Sequence, residues 1–280
     1  TNTNYLAATT TATLTVNKAT TVLSNFSLPI KVIRNAPFTI TAPTTNSNGA
    51  FTYTSSNPAV ATVAGTTITI VGIGLSTITV NQATTANYLA ATTTAVFQVN
   101  NVTPTLSFSI PTKTIIDPAY QITPPTSNST GSFTYTSSNP EVATIVNGFV
   151  TIVSLGSTTI TAVQASTANY GPSSISATLA VNKLPTIISA FTISPRPVNG
   201  GRFYIGAPPP SNRSGFITLT SSNPSIATVT FQPNQGIWYI EPVAVGNTTI
   251  TATLASSSIY ETGTFSTNLM IYPVGNYTYD

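Results

Sequence analysis

The sequence predicts an all-β protein built of tandem antiparallel β-sandwiches arranged end to end, and three observations predict it. The phrase Phe133-Thr134-Tyr135-Thr136-Ser137-Ser138-Asn139-Pro140-Glu141-Val142-Ala143-Thr144 recurs almost unchanged from Phe51 to Thr62, and more loosely from Phe216 to Thr228. The offsets from Ser55 to Ser137 and from Ser137 to Ser221 are 82 and 84 residues, the length of a small domain rather than of a solenoid unit. Segments such as Thr67-Ile68-Thr69-Ile70-Val71 alternate β-branched apolar residues with threonine, the period of a strand with one buried face. Turn residues punctuate these segments at short intervals, as in a sandwich.

The chain opens inside the pattern. Asn4-Tyr5-Leu6-Ala7-Ala8-Thr9-Thr10-Thr11-Ala12-Thr13-Leu14-Thr15-Val16-Asn17 matches Asn87 to Asn100, the stretch that closes the next repeat. Residues 1–17 are expected to be the last strand of a repeat whose body is absent. Either the chain is cut from a longer array, or this segment, with Leu14 and Val16, is a donor strand that completes a neighbouring molecule's sheet.

The first full repeat spans residues 18–100. Thr20 to Ser27 is expected to be extended, Phe38-Thr39-Ile40-Thr41 alternates, and Pro43 to Gly49 is expected to be a loop. Phe51 and Tyr53 then share one strand face, while Thr52 and Thr54 take the other. Ser55-Ser56-Asn57-Pro58 ends that strand, because proline has no amide hydrogen and biases the residue before it away from helix. Val60 to Val63, Thr67 to Val71, Ser76 to Val80 and Ala95 to Val99 supply the remaining strands, about seven in all, which suits an antiparallel sandwich.

The second repeat, 101–182, copies this order. Leu106 to Ile110, Tyr120 to Thr123, Val150 to Val153, Thr159 to Ala162 and Ile175 to Val181 stand where their counterparts do in the first. The links are Val16-Asn17-Lys18, Val99-Asn100-Asn101 and Val181-Asn182-Lys183, with almost no slack, so a stiff rod is expected, each sandwich roughly 30 to 40 Å long.

The third repeat, 183–280, diverges. It has the longer hairpin Val229 to Ile240 with the one tryptophan, a Pro208-Pro209-Pro210 run, Arg196, Arg202 and Arg213, and the tail Tyr277-Thr278-Tyr279-Asp280. A terminal repeat differs when it caps an exposed end. The functional alternative is a contact surface of Trp238, Tyr239, Phe231, Arg202 and Arg213, since Trp, Tyr and Arg dominate binding hot spots and aromatic faces stack on sugars.

Tyr135-Thr136-Ser137-Ser138-Asn139-Pro140-Glu141-Val142-Ala143-Thr144, followed by Gly148 and by Gly156-Ser157-Thr158-Thr159-Ile160-Thr161-Ala162, resembles the group 2 bacterial Ig-like domains. Such domains occur in tandem in adhesins of the intimin and invasin kind, in phage structural proteins and in surface proteins of large aquatic viruses. The resemblance implies that Tyr53 and Tyr135 hold the core aromatic position, where the third repeat has Leu219. It also implies spacer use in many settings, so function must be argued from sites.

Composition narrows the chemistry. Charged residues are 5% of the chain, and there is neither histidine nor cysteine. The commonest general base, metal ligand and strongest nucleophile are therefore missing together. Residues 18–100 hold no Asp or Glu, while Asp117, Glu141, Glu241, Glu261 and Asp280 are scattered without ligand spacing. No catalytic, metal or cofactor site is expected. The net charge of +3 comes from eight basic and five acidic residues, which reflects scarcity of acid and gives no footprint for nucleic acid. No apolar run is long enough to cross a bilayer. Sequons at Asn25, Asn101, Asn128, Asn212, Asn247 and Asn276 are what a Ser- and Thr-rich chain delivers by chance.

The expectation for function is a surface-exposed structural rod or fibre, outside a cell or on a virion, whose partners are copies of itself or other surface proteins. The alternative is a binding module whose third repeat recognises a glycan or protein.

Overall fold

The computed structural model describes residues 8–210 and 212–275, and among them there is no helix. Part of the opening match (residues 4–7), the Asn276 sequon and the tail Tyr277 to Asp280 lie outside the described residues. In the first repeat the strands are β1 (Leu23–Ser24), β2 (Lys31–Val32), β3 (Phe38–Thr39), β4 (Thr44–Thr45), β5 (Phe51–Ser55), β6 (Ala61–Ala64), β7 (Thr67–Ile70), β8 (Gly74–Gln82) and β9 (Ala91–Asn100). They make a four-stranded sheet β2-β9-β8-β5, a three-stranded sheet β3-β7-β6 and a small β1-β4 pair.

The second repeat has the same arrangement. Its strands are β10 (Leu106–Ser107), β11 (Lys113–Thr114), β12 (Tyr120–Gln121), β13 (Thr126–Ser127), β14 (Phe133–Ser137), β15 (Ala143–Val146), β16 (Phe149–Ile152), β17 (Gly156–Gln164) and β18 (Ser173–Asn182). Its sheets are β11-β18-β17-β14, β12-β16-β15 and β10-β13. The third repeat has β19 (Arg196–Pro197), β20 (Phe203–Ile205), β21 (Ile217–Ser221), β22 (Ala227–Gln232), β23 (Ile237–Pro242), β24 (Gly246–Leu254) and β25 (Gly263–Tyr272). These form β19-β25-β24-β21 and β20-β23-β22.

The architecture is thus tandem sandwiches, with one departure from all-antiparallel pairing. β2, β11 and β19 each run parallel to the closing strand of their own sheet, as in Lys31↔Val99. Proline explains the split. Pro29, Pro111 and Pro195 stand one or two residues before these strands; lacking an amide hydrogen, each interrupts a continuous ladder, so the stretches before and after it take different partners. β4 and β13 also lie where a loop was expected, pairing with β1 and β10.

Contacts gather the chain into two compact units. One comprises the stretch up to Ser107 with Thr126–Phe133 and Val163–Ser174; the other comprises Phe108–Pro125, Thr134–Ala162 and the stretch from Ile175. The first unit holds the core of Ile33, Ile40, Val60, Ala61, Ile68, Ile78, Phe97 and Val99. The second holds the core around Ile122, Val150, Ile160 and Leu179, and those of the third repeat around Trp238 and around Ile240. The alternation read in the sequence is the burial pattern: on β8, Ser76, Ile78, Val80 and Gln82 are buried and their neighbours are not.

The repeated Ser-Ser-Asn-Pro phrase is a hydrogen-bonded corner. The Ser55 and Ser76 hydroxyls lie 2.7 Å apart, Ser56 Oγ accepts from Thr77 N at 2.9 Å, and Asn57 Oδ1 accepts from Ala59 N at 3.2 Å. Ser137 with Thr158 and Ser221 with Thr248 repeat the first of these contacts at 2.8 and 2.9 Å. The motif therefore satisfies polar backbone where the chain changes sheet.

A second polar latch was not read in the sequence. Gln82 and Gln164 end their strands fully buried, and Gln164 Nε2 donates to Ser129 O at 3.0 Å and Gly131 O at 2.9 Å while Oε1 accepts from Ser127 Oγ at 2.8 Å. Gly131 is required because a Cβ there would stand 2.0 Å from Ala165 O. Replacing Gln164 by Ala orphans these buried groups and leaves a cavity. It should destabilise the second repeat by about 3 kcal/mol, seen as faster hydrogen exchange in β17 and β18 with β8 and β9 unaffected.

Candidate contact surface of the third repeat

The third repeat's three-stranded sheet is where the chain departs most from its own pattern. β22 and β23 have six residues each, against four in β6 and β7, and Pro233 to Gly236 turns between them, with Gly236 in the left-handed region at φ 66°. The register sets Phe231 opposite Trp238, and Tyr204 and Thr230 on either side of Tyr239. Because side chains alternate across a strand, these two rows face opposite ways.

The inner row belongs to the core. Trp238 is only 9% exposed, lies 4.9 Å from the Phe231 ring centroid, and its Nε1–H donates to Ile217 O at 3.2 Å. It packs with Ile188, Leu219, Ala252 and Leu254, so its bulk accompanies the loss of an aromatic residue at Leu219. Phe216, 58% exposed, stands edge-on to Phe231 at the mouth of a shallow cleft of about 250 Å³ floored by Trp238 and edged by Pro208 to Pro210.

The outer row faces solvent. Tyr204 is 74% exposed beside Tyr239, whose Oη donates to Gln235 Oε1 at 2.9 Å, and the Arg202 guanidinium lies 4.7 Å over the Tyr239 ring. Arg213 is elsewhere. It donates from Nε to Thr186 Oγ1 at 2.9 Å and from Nη2 to the Ala255 carbonyl, and it stands 5.5 Å over Tyr260. The five residues singled out in the sequence thus fall into three places: Trp238 and Phe231 within, Tyr239 and Arg202 without, and Arg213 in a separate latch. Tyr204 and Phe216 were missed, although counting by twos from buried Ile240 separates Trp238 from Tyr239.

The other singled-out residues have plain settings. Tyr53 and Tyr135 are half-buried against their cores, and burial raises both phenol pKa values. Leu14 and Val16 lie on a stretch with no strand partner among the described residues. Asp117 accepts from Thr114 Oγ1 at 2.7 Å and from Thr114 N at 3.2 Å, which lowers its pKa, with Lys113 3.9 Å away. Lys113 also sits 4.5 Å over Tyr120, whose phenol is raised first by burial and then by the Asp117 charge. Lys31 over Phe38 and Arg196 over Phe203 repeat this cation–ring contact, so the group is a feature of the fold. Among the described residues no cluster of three or more acidic side chains could hold a metal ion, and no helix is long and apolar enough to cross a membrane.

Residues 118–169 match the family described as bacterial Ig-like domain (group 2), which shows the resemblance for that part of the second repeat. No curated protein matches the chain. Among solved structures, Drosophila N-cadherin EC1-4 is similar at 11% identity and TM-score 0.28, over 92% of this chain and 76% of that one. Mouse protocadherin-24 EC1-3 is similar at 11% and 0.26, over 95% and 100%. The immunoglobulin domains 1-5 of Sidekick-1 are similar at 11% and 0.31, over 91% and 59%.

Trp238→Ala should cost the third repeat about 3 to 5 kcal/mol through the cavity it leaves. Tyr204→Ala should change stability by no more than about 0.5 kcal/mol. Thermal unfolding of the two variants checks the contrast.

Proposed function

We propose that this chain is a structural, non-enzymatic spacer: a series of Ig-like sandwiches, residues 18–100, 101–182 and from 183 on, that provides reach at a cell or virion surface. One observation supports this most. After β9 and after β18 a single residue intervenes before the chain is clamped to the next sandwich. β9 ends at Asn100, and Val102 donates its N–H to Asn169 O and accepts from Gly171 N, both at 3.0 Å. β18 ends at Asn182, and Leu184 does the same with Ile259 O and Glu261 N, both at 2.8 Å. A one-residue link held by two backbone hydrogen bonds has little freedom to bend, which favours a stiff spacer over beads on a string.

A second reading has its own observation. The outward-facing group of exposed Tyr204, half-buried Tyr239 and exposed Arg202 is of the composition that dominates protein and glycan contacts. In that case the third repeat is the business end of the spacer. Glycan-array binding lost in Tyr239→Ala and kept in Tyr53→Phe would favour it.

Small-angle scattering tests the first reading. A stiff series of three sandwiches on the order of 100 Å long has a radius of gyration of about 30 Å, whereas a compact body of this length has about 19 Å. With no histidine in the chain, the value should also stay constant from about pH 5 to 8. A compact value, or a steep change within that range, counts against the spacer.

A further inference from the structure

We propose that Arg34 is a strained latch. The turn of residues 32–35 gives up local stability so that its arginine can hold Tyr170, and through Tyr170 the clamp on Val102. The inference goes beyond the spacer reading and does not rest on it, because it concerns one side chain and the loop it grips.

The first observation is a turn whose backbone does not suit its residue. Asn35 N donates to Val32 O at 3.1 Å, which closes the turn, and Asn35 Oδ1 accepts from Val32 N at 3.0 Å. Arg34, just before Asn35, has φ 78°, the left-handed region that a turn of this kind reserves for glycine or asparagine. Among the described residues the other side chains on such a backbone are Asn25 and Asn147, of the type that tolerates it. The second and third repeats close the same turn differently. Asp117 N donates to Thr114 O at 3.1 Å and Gly200 N to Pro197 O at 3.0 Å, yet Ile116 and Asn199, which stand where Arg34 does, have no positive φ. The fold therefore does not require the left-handed backbone, and its cost at Arg34 must be offset elsewhere.

The second observation is what Arg34 reaches. Its Nη1 donates to Tyr170 Oη at 3.0 Å and its guanidinium lies 5.1 Å from the ring centroid, so one side chain supplies a charged donor and a cation over a ring. Tyr170 is the middle of the clamp. It is bridged to Val102, and its neighbours Asn169 and Gly171 make the two hydrogen bonds to Val102. Its own N–H and C=O are tied to Thr167 at 3.3 and 2.9 Å. The turn is pinned on the other side of the same link, where Ile33 N donates to Asn100 O at 2.8 Å and Ile33 enters the first core. Arg34 thus braces with a side chain the link from Asn100 to Val102 that is otherwise held by backbone. The third repeat secures its counterpart of Tyr170 from within: Tyr260 Oη donates to Asn212 O at 3.2 Å with Arg213 over the ring. There the residue in Arg34's place, Ile116, keeps an ordinary backbone.

Residue-resolved hydrogen exchange of the full chain tests the latch. Arg34→Gly suits the turn and removes the grip, so the Val102 and Gly171 amides should exchange about fivefold faster, the size of one cation–ring contact with its hydrogen bond. In a Tyr170→Ala chain the grip is already gone. There Arg34→Gly should leave those two amides unchanged and slow the core amides of β8 and β9 by about threefold, the left-handed strain released less the added freedom of glycine when unfolded. The two substitutions are then non-additive. Tyr170→Phe, which keeps the ring and removes only the phenol, is a milder background in which both responses should fall between those of the parent and Tyr170→Ala chains. Val102 and Gly171 amides unmoved by Arg34→Gly in the parent chain overturn the proposal, because Arg34 then holds nothing. So do β8 and β9 amides that fail to slow in the Tyr170-substituted chains, because the turn is then unstrained. Both readouts are local, and neither result bears on the scattering of the native chain.

Discussion

Each sandwich depends on its closing strand. β9, β18 and β25 are ten residues long, the longest of their sheets, pair on one side with a nine-residue strand and on the other with a two-residue parallel strand, and bury a pair of apolar side chains near their C-terminal ends. Burying such a pair contributes about 3 to 6 kcal/mol, a large share of what a domain of some 80 residues has in hand. β9 and β18 each end two residues before a bridged residue of the following repeat, Val102 and Leu184.

Charge plays an unusual part in this economy. Of eight basic side chains, six stand over aromatic rings: Lys31, Arg34, Lys113, Arg196, Arg202 and Arg213. They act as packing elements whose charged heads reach water. Some of the chain's hydroxyls and amides are likewise engaged at the corners and in the Gln82 and Gln164 latches. Sheet edges such as β5 and β14 are then guarded by few charges, a condition that favours edge pairing between molecules.

Strands β5, β7 and β8 were legible because apolar residues alternate with polar ones, aromatic with threonine along β5 and β-branched with threonine along β7 and much of β8, and two-sheet packing follows from that period. The short ones were not. β2 has two residues, and its parallel partner lies more than sixty positions away, beyond any local pattern. Gln82 looks like a surface residue because nothing in the sequence shows the carbonyls of Ser47 and Gly49 that satisfy it. In the third repeat, composition drew attention to tryptophan and arginine, whereas register decides which of them face outward. Phe203-Tyr204-Ile205 has no compositional mark, so Tyr204 emerged only from its pairing with Tyr239.

The central claim is that each repeat folds around its own closing strand as a separate mechanical unit. Pulling single molecules by their ends tests it most directly. The account predicts three distinct unfolding steps of similar size, each releasing roughly 250 Å of chain, as about 80 residues extend at 3.3 to 3.6 Å each. One cooperative step that releases the whole length at once would contradict it.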